Sequence, residues 1–424
     1  MHMTVKRWIR LVGVLSLAIV FALSLTPSAG AASSYDPIPG TQTSFVKTLV
    51  MSSSVDIPAA VIRFTVEAGE PVEAASEGGG MAVRSGPVVI DNDEVVAPSI
   101  DDLVFTVGEA DGHNGLTVQD NFPEEGSKTA SKTVTVDFSG VSFSSPGVYR
   151  YVITEEAAES QGIVNDAADK RTVDVYVDDD GEGKLVIAGY TMYLGEVSEA
   201  PDLEGTPAGE KSSGYTNEYV THDLTIGLVV TGNQASRYQY FAVTVQLANA
   251  PAGTVFPVDM SDAETSIPLD SEITPVQTRS LRSGPQPATL SARAALLGSD
   301  DAIHQPESLT ADQNGKITQI YYLRHDQSLR IIGLPPGVTY EASEDPLDYT
   351  MTLGAKGDFV RGLKELSATP KGIMTNRDED LGFTNTRNGA IPTGLTLTEI
   401  SGLLLVALSA PPLLILCQKR RDQE

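Results

Sequence analysis

Alternation of period two runs through the middle of this chain and confines it to β-structure. Val134, Val136 and Phe138 alternate with Thr133, Thr135 and Asp137, Val173, Val175 and Val177 alternate with Thr172, Asp174 and Tyr176, and Phe241, Val243, Val245 and Leu247 share one phase. Successive side chains of a strand point to opposite faces, so this spacing predicts half-buried strands. Turn clusters punctuate them, among them Ser144-Ser145-Pro146-Gly147, Asp180-Gly181-Glu182-Gly183 and Pro335-Pro336-Gly337. No long stretch outside the termini keeps a 3.6-residue period, which leaves an antiparallel sandwich as the expected architecture.

The 424 residues exceed what one core organises, and an internal repeat divides them. Each unit begins with a strand, Phe45-Val46-Lys47-Thr48-Leu49 or Leu224-Thr225-Ile226-Gly227-Leu228. Each continues through a Pro-Gly turn to a strand bearing a carboxylate, Pro146-Gly147 to Glu155 or Pro336-Gly337 to Glu344, and ends in aromatic-Thr-Asn, Tyr215-Thr216-Asn217 or Phe383-Thr384-Asn385. The expected fold class is all-β, with two tandem Ig-like antiparallel β-sandwich domains at 35–220 and 222–388. The second carries a polar stretch at about 261–313, read as a surface insertion.

Disulfides cannot staple these units, because Cys417 is the only cysteine. Cys-based zinc sites are excluded with them, and five scattered histidines offer no metal centre. We expect no metal and no cofactor. A formal charge of −27 repels phosphate backbones, so nucleic acid is not an expected partner. The acidic run Asp178–Gly183 lacks the twelve-position calcium loop and its closing Glu, and reads as a hairpin turn. His113 and His222 have no Ser or Cys partner in a recognisable arrangement, so hydrolase chemistry finds no support.

The two ends carry addresses. Lys6, Arg7 and Arg10 precede an apolar run from Leu11 to Leu25, and Ala29-Gly30-Ala31 follows, the layout of a secretory signal peptide at 1–31. Near the other end, 395–418 reads as a transmembrane segment, kinked by Pro411-Pro412, with the basic cytoplasmic tail 419–424 behind it. The alternative is a buried C-terminal helix. Ile391, Pro392, Thr393 and Gly394 stand before that segment. The order of short motif, apolar span and basic tail resembles the sorting signal of Gram-positive surface proteins. That resemblance implies cleavage by a sortase between Thr393 and Gly394, leaving residues 32–393 anchored to peptidoglycan.

Four segments, in this order and with the sorting signal behind them, carry a wider resemblance: Val136-Asp137-Phe138-Ser139-Gly140 through Glu155, Arg171–Val177, Val230-Thr231-Gly232-Asn233, and Tyr321-Tyr322-Leu323 through Glu344. The chain resembles the Gram-positive major pilins of streptococcal type, built from domains with an intramolecular isopeptide bond. The resemblance implies a secreted, wall-anchored pilus shaft subunit, not an enzyme, whose partners are sortase, neighbouring subunits, peptidoglycan and an extracellular or host-surface ligand. A non-polymerising adhesin or minor pilin on the same anchor is the alternative.

Carried onto this sequence, the resemblance makes Lys47 and Asn217 the partners of the bond and Glu155 the proton shuttle. Lys47 is in phase with Phe45 and Leu49, and Glu155 with Tyr149, Tyr151 and Ile153, so both should face the core. Burial disfavours the charged forms of an amine and an acid, so the pair can sit neutral, with the amine a nucleophile. A protonated Glu155 could then hydrogen-bond the Asn217 amide oxygen and pass protons to departing ammonia. The alternative is an ordinary Lys–Glu ion pair beside a turn Asn. The second unit departs from this pattern. Leu228 stands where the reactive Lys is expected, although Glu344 and Asn385 remain, so no such bond is expected there. For joining subunits, the resemblance points to Lys211, six residues before Asn217, as the nucleophile that attacks a sortase-held Thr393; the alternative is a solvated loop lysine.

Overall fold

The computed structural model describes residues 40–74, 81–201, 207–268, 271, 302–359 and 365–390. The principal strands of the first half are β1 (Gln42–Ser52), β2 (Phe64–Ala68), β3 (Ser127–Asp137), β4 (Gly147–Glu155), β5 (Lys170–Asp179), β6 (Leu185–Leu194) and β7 (Gly214–Tyr219). Those of the second are β8 (His222–Thr231), β9 (Phe241–Ala248), β10 (Ile317–Leu323), β11 (Gln327–Leu334), β12 (Thr339–Glu344) and β13 (Glu379–Thr386). Strands of one half pair only with strands of the same half among the described residues.

Each half is a sandwich with the same central arrangement. In the first, a six-stranded sheet places β1 between β7 and β3, and a five-stranded sheet runs β6, β5, β4, β2. Phe45, Leu49, Val134, Tyr151, Val173 and Val175 close one apolar core between them. In the second, β8 lies between β11 and β13, while β10, β9 and β12 are neighbours in the other sheet. Leu224, Ile226, Phe241, Val243, Tyr321 and Phe383 belong to its core. The first and last strands of each sandwich are parallel neighbours, β1 with β7 and β8 with β13. This close approach depends on Gly214 at the start of β7. A Cβ there would lie 1.8 Å from the Val46 carbonyl oxygen, so any side chain would hold the two strands apart.

The strand pattern holds, but the expected half-burial does not hold for β5. Arg171 through Val175 are buried on both faces, including Asp174 at 0% and Thr172 at 1% exposure. The cause is the chain after β6, which crosses the outer face of the sheet. Arg150, directly opposite Asp174 in the ladder, binds it through Nε–Oδ1 at 2.7 Å and Nη2–Oδ2 at 2.8 Å. The same guanidinium donates to the Val197 and Glu199 carbonyls at 2.8 Å each. The polar phase of the strand therefore faces a bidentate ion pair roofed by backbone, where solvent was expected.

A second buried lysine clarifies the first. Lys132 lies directly opposite Lys47 in the ladder and shares the inward phase of Val134 and Val136. Its Nζ donates to Glu109 Oε1 at 2.8 Å and to the Val104 carbonyl at 2.7 Å, over the Phe105 ring. Burial pushes the Glu109 carboxyl up, but the Lys132 and Thr106 N–H hydrogen bonds outweigh it and hold the group below its ordinary value. Lys132 and Glu109 thus form an ion pair.

The stretch read as an insertion forms strands at both ends, a two-stranded sheet of its own and a strand that joins the second sandwich. Ser266–Pro268 pairs with Ala302–His304, and Ser308–Thr310 pairs with Val255–Asp259. Ile267 and Leu309 are the reason, being buried at 0% and 3% exposure. The Asp178–Gly183 run is a hairpin turn in which Asp179 and Asp180 carboxylates accept from the Gly181 and Glu182 N–H groups at 2.8 and 2.9 Å. The signal peptide, the Ile391–Gly394 motif and the 395–418 segment lie outside the described residues.

Candidate functional site

Lys47, Glu155 and Asn217 arrive from three strands at one point in the first core. β1 and β7 run side by side with Leu49 opposite Asn217, so Lys47 lies two residues along on the same face. Glu155 ends β4 in the facing sheet. All three are sealed, at 0%, 3% and 0% exposure. Lys47 Nζ lies 2.9 and 2.8 Å from the two Glu155 oxygens and 2.5 Å from Asn217 Oδ1, while Asn217 Nδ2 donates to Glu155 Oε1 at 2.6 Å. Burial pulls the Lys47 amine down to about 8, against the opposing pull of Glu155.

The surroundings explain the water-free character of this point. Phe45, Phe64 and Tyr215 form an aromatic triangle with ring centres 5.1 to 5.4 Å apart. Lys47 Nζ lies 5.7 Å from the centre of the Tyr215 ring. The Tyr215 hydroxyl donates to the Ile153 carbonyl at 2.7 Å, and Arg171 stacks over the same ring at 4.4 Å. An amine, a carboxylic acid and a carboxamide in mutual contact without water can exchange protons and acyl groups among themselves.

One expected contact is different. Glu155 does not hydrogen-bond the Asn217 amide oxygen. It holds the amide nitrogen, and the oxygen accepts from Lys47 and from the backbone N–H of Asp166 at 2.8 Å. Asp166 and Arg171 went unnoticed in the sequence as parts of this site. Arg171 was legible, being in phase with Val173, Val175 and Val177 and therefore inward-facing; Asp166 lies in a connection with no periodicity to mark it.

Residues 101–220, which include Glu155 and Asn217, match the family described as a Spy0128-like isopeptide containing domain. Residues 222–387 match a family described as a domain of unknown function. The chain is homologous to the protein named Pilin from Streptococcus pyogenes serotype M1, 25% identical over 292 residues, covering 66% of this chain and 68% of that one. A crystal structure of the major pilin from Streptococcus pyogenes superposes with a TM-score of 0.50 at 20% identity, over 83% of this chain and 100% of the other, a likeness of fold. Neither matched family is described as catalytic.

In this pilin homologue the second sandwich repeats the arrangement without the amine. Val230 lies opposite Asn385 and Leu228 opposite Phe383, the same register that sets Leu49 opposite Asn217 and Lys47 opposite Tyr215. Leu228 thus occupies the position of Lys47 and is fully buried. Asn385 Nδ2 donates to Glu344 Oε1 at 2.8 Å, matching the first site. Glu344 Oε2 and Asn385 Oδ1 are sealed and, among the described residues, without hydrogen-bond partners. Burial pushes the Glu344 acid up to about 7.

That isolated acid makes the second sandwich of the pilin homologue favour acidic solution. Folded Glu344 keeps its proton to about pH 7, whereas an unfolded one releases it near 4.5. The folded state then binds more protons, and stability falls as pH rises through this window. We expect about 3 kcal/mol less stability at pH 8 than at pH 4.5 from this group. Denaturant titrations across that range will show the decline, and Glu344→Gln, which supplies the missing donor without an acid, should flatten it.

Lys211 is exposed at the edge of the first sandwich. It bridges Tyr193, and its neighbours Glu210 and Ser212 pair with Leu194 and Met192 along β6. Among the described residues no helix is long and apolar enough to cross a membrane, and no cluster of His, Cys, Asp and Glu could hold a metal.

Proposed function

We propose that this chain is a pilus shaft subunit of a Gram-positive bacterium, exported, polymerised and wall-anchored by sortase, and braced by an isopeptide bond between Lys47 and Asn217. Its two modules span 35–220 and 222–388. The observation that carries the brace is the sealed contact of Lys47 Nζ with Asn217 at 2.5 Å and Glu155 at 2.8 Å. The Lys132–Glu109 pair, also a buried lysine and glutamate, has no carboxamide on its amine among the described residues and stays ionic.

The reaction follows from the contacts. The Lys47 ammonium passes a proton to Glu155 across 2.8 Å, and its nitrogen attacks Asn217 Cγ. A C–N bond forms, and the charge collects on Oδ1. Glu155 Oε1, already on Nδ2 at 2.6 Å, returns the proton to that nitrogen. The Cγ–Nδ2 bond breaks, and the second proton of the attacking nitrogen leaves with the ammonia through the same carboxylate. Glu155 ends as it began.

The intact mass of residues 32–393 tests this. A deficit of one ammonia is expected. No deficit overturns the brace, and a deficit of two overturns the assignment of Leu228 as a silent position.

A further inference from the structure

We infer that the backbone N–H of Asp166 is the electrophile-activating group of this condensation, held on the reacting carbonyl by a clamp of Arg171 and the Asp166 carboxylate. The inference rests on the Lys47–Asn217 reading and assigns the one task in it that no side chain performs. When the amine adds to Asn217, negative charge develops on Oδ1 inside an apolar core, where an unmatched charge is costly. Lys47 contacts that oxygen before reaction, but its nitrogen becomes part of the new bond, keeps a single proton, and cannot donate to the oxygen of its own amide. Glu155 is on the opposite end of the amide. The group that remains pointed at Oδ1 throughout is Asp166 N–H, at 2.8 Å.

The loop that carries this N–H is fixed by side-chain hydrogen bonds on both sides. Asp166 Oδ2 accepts from Arg171 Nη2 at 2.7 Å and from the Thr216 backbone N–H at 2.9 Å, next to Asn217 itself. Its Oδ1 accepts from the Ala168 N–H at 3.0 Å. Arg171 donates further to the Ala168 and Gly214 carbonyls at 2.6 and 2.9 Å, tying the loop to the start of β7. Asp166 Oδ2 thus holds Thr216 while the Asp166 N–H holds Asn217, so donor and acceptor are referenced to the same strand. The second sandwich is an internal comparison. It keeps the acid and the amide, but Asn385 Oδ1 has no donor, and Leu228 stands in place of the amine. The amine and the N–H donor are absent together, as expected if both serve the reaction.

In the condensation itself Asp166 undergoes no net change. Its N–H donates to the oxyanion as the C–N bond forms and to the same oxygen, now the new amide carbonyl, as ammonia departs. Asp166 and Arg171 side chains are positioning residues, acting through that N–H.

The test follows bond formation in full-length chain made by cell-free synthesis, quenched in denaturant at intervals and weighed. Wild type must lose one ammonia; if it does not, the Lys47–Asn217 reading fails and the matter ends there. Given that loss, Asp166→Ala is expected to slow it by about 10²-fold, in the range of removing an oxyanion donor. Asp166→Asn keeps one acceptor oxygen, for the Thr216 N–H and Arg171, gives up only the acceptor for the Ala168 N–H, and is expected to stay within a few-fold of wild type. A wild-type rate in Asp166→Ala overturns the inference. Equal slowing in Asp166→Asn also overturns it, because the effect would then be the carboxylate's charge on Lys47. Each substitution is repeated in a Lys47→Met chain, where no bond forms. Thermal unfolding there reports how far folding alone is affected, and a fall in Asp166→Ala large enough to unfold the sandwich at the assay temperature counts against a positioning role.

Discussion

Replacing Asn217 by Ala is expected to cost the first sandwich about 5 kcal/mol and to restore the mass of one ammonia, net of the side chain removed. The loop closed by the brace spans 170 residues, and the chain-entropy treatment of crosslinks assigns roughly that energy to a loop of this size. For a domain of this length the loss corresponds to a fall of about 10–20 °C in Tm. Asn217→Ala is the informative choice because Lys47 and Glu155 keep each other. Lys47→Ala or Glu155→Ala would instead strand a buried ionisable group, and the resulting penalty would be mistaken for the worth of the bond. If no bond exists in the wild type, Asn217→Ala removes only hydrogen bonds and should cost about 1–3 kcal/mol. Calorimetry of the two chains separates the outcomes, since the second sandwich supplies an unaltered transition in both.

The architecture was legible because strand periodicity is a local property. Phe45, Lys47 and Leu49 share a face whatever their neighbours do, and the same arithmetic placed Glu155 beside Tyr151 and Ile153. Resemblance then joined residues that periodicity could only orient. What escaped were features made by chain crossing. Asp174 and Thr172 read as solvent-facing because nothing in β5 announces that residues after β6 will cover it. Asp166 escaped for a related reason: its contribution is a backbone N–H, which every residue except proline owns, so no residue type can signal it. Arg171 lay between these cases, visible as an inward-phased cation but without a visible partner. Leu228 was legible as a departure, and the register adds its consequence, two buried oxygens left without a donor.

Lys211→Arg is expected to abolish the high-molecular-weight ladder of cell-wall extracts while leaving the subunit folded and internally braced. Arginine keeps the charge and the solvated edge position, but its guanidinium stays protonated and cannot act as a nucleophile. An exposed substitution of this kind should shift stability by no more than about 0.5 kcal/mol, so loss of the ladder cannot be ascribed to misfolding. An unchanged ladder would remove Lys211 from the joining reaction, and a chain that never forms one would be the anchored adhesin or minor pilin. The position also matters to how tension would pass through the subunit. Pull applied at Lys211 enters β7 at Gly214, so a Lys47–Asn217 brace would stop peeling of β7 from β1 three residues into the strand. Beyond Tyr219 the load passes to β8 and leaves from β13, parallel neighbours paired from Leu224 with Glu379 to Thr231 with Thr386. Pulling the start of β8 against the end of β13 slides these strands along each other and strains the whole ladder together. That geometry gives the second sandwich resistance without a covalent bond, which is consistent with Leu228 being tolerated where the first sandwich has Lys47. Force spectroscopy of the Asn217→Ala chain should therefore convert the first sandwich from inextensible to extensible and leave the unfolding force of the second unchanged.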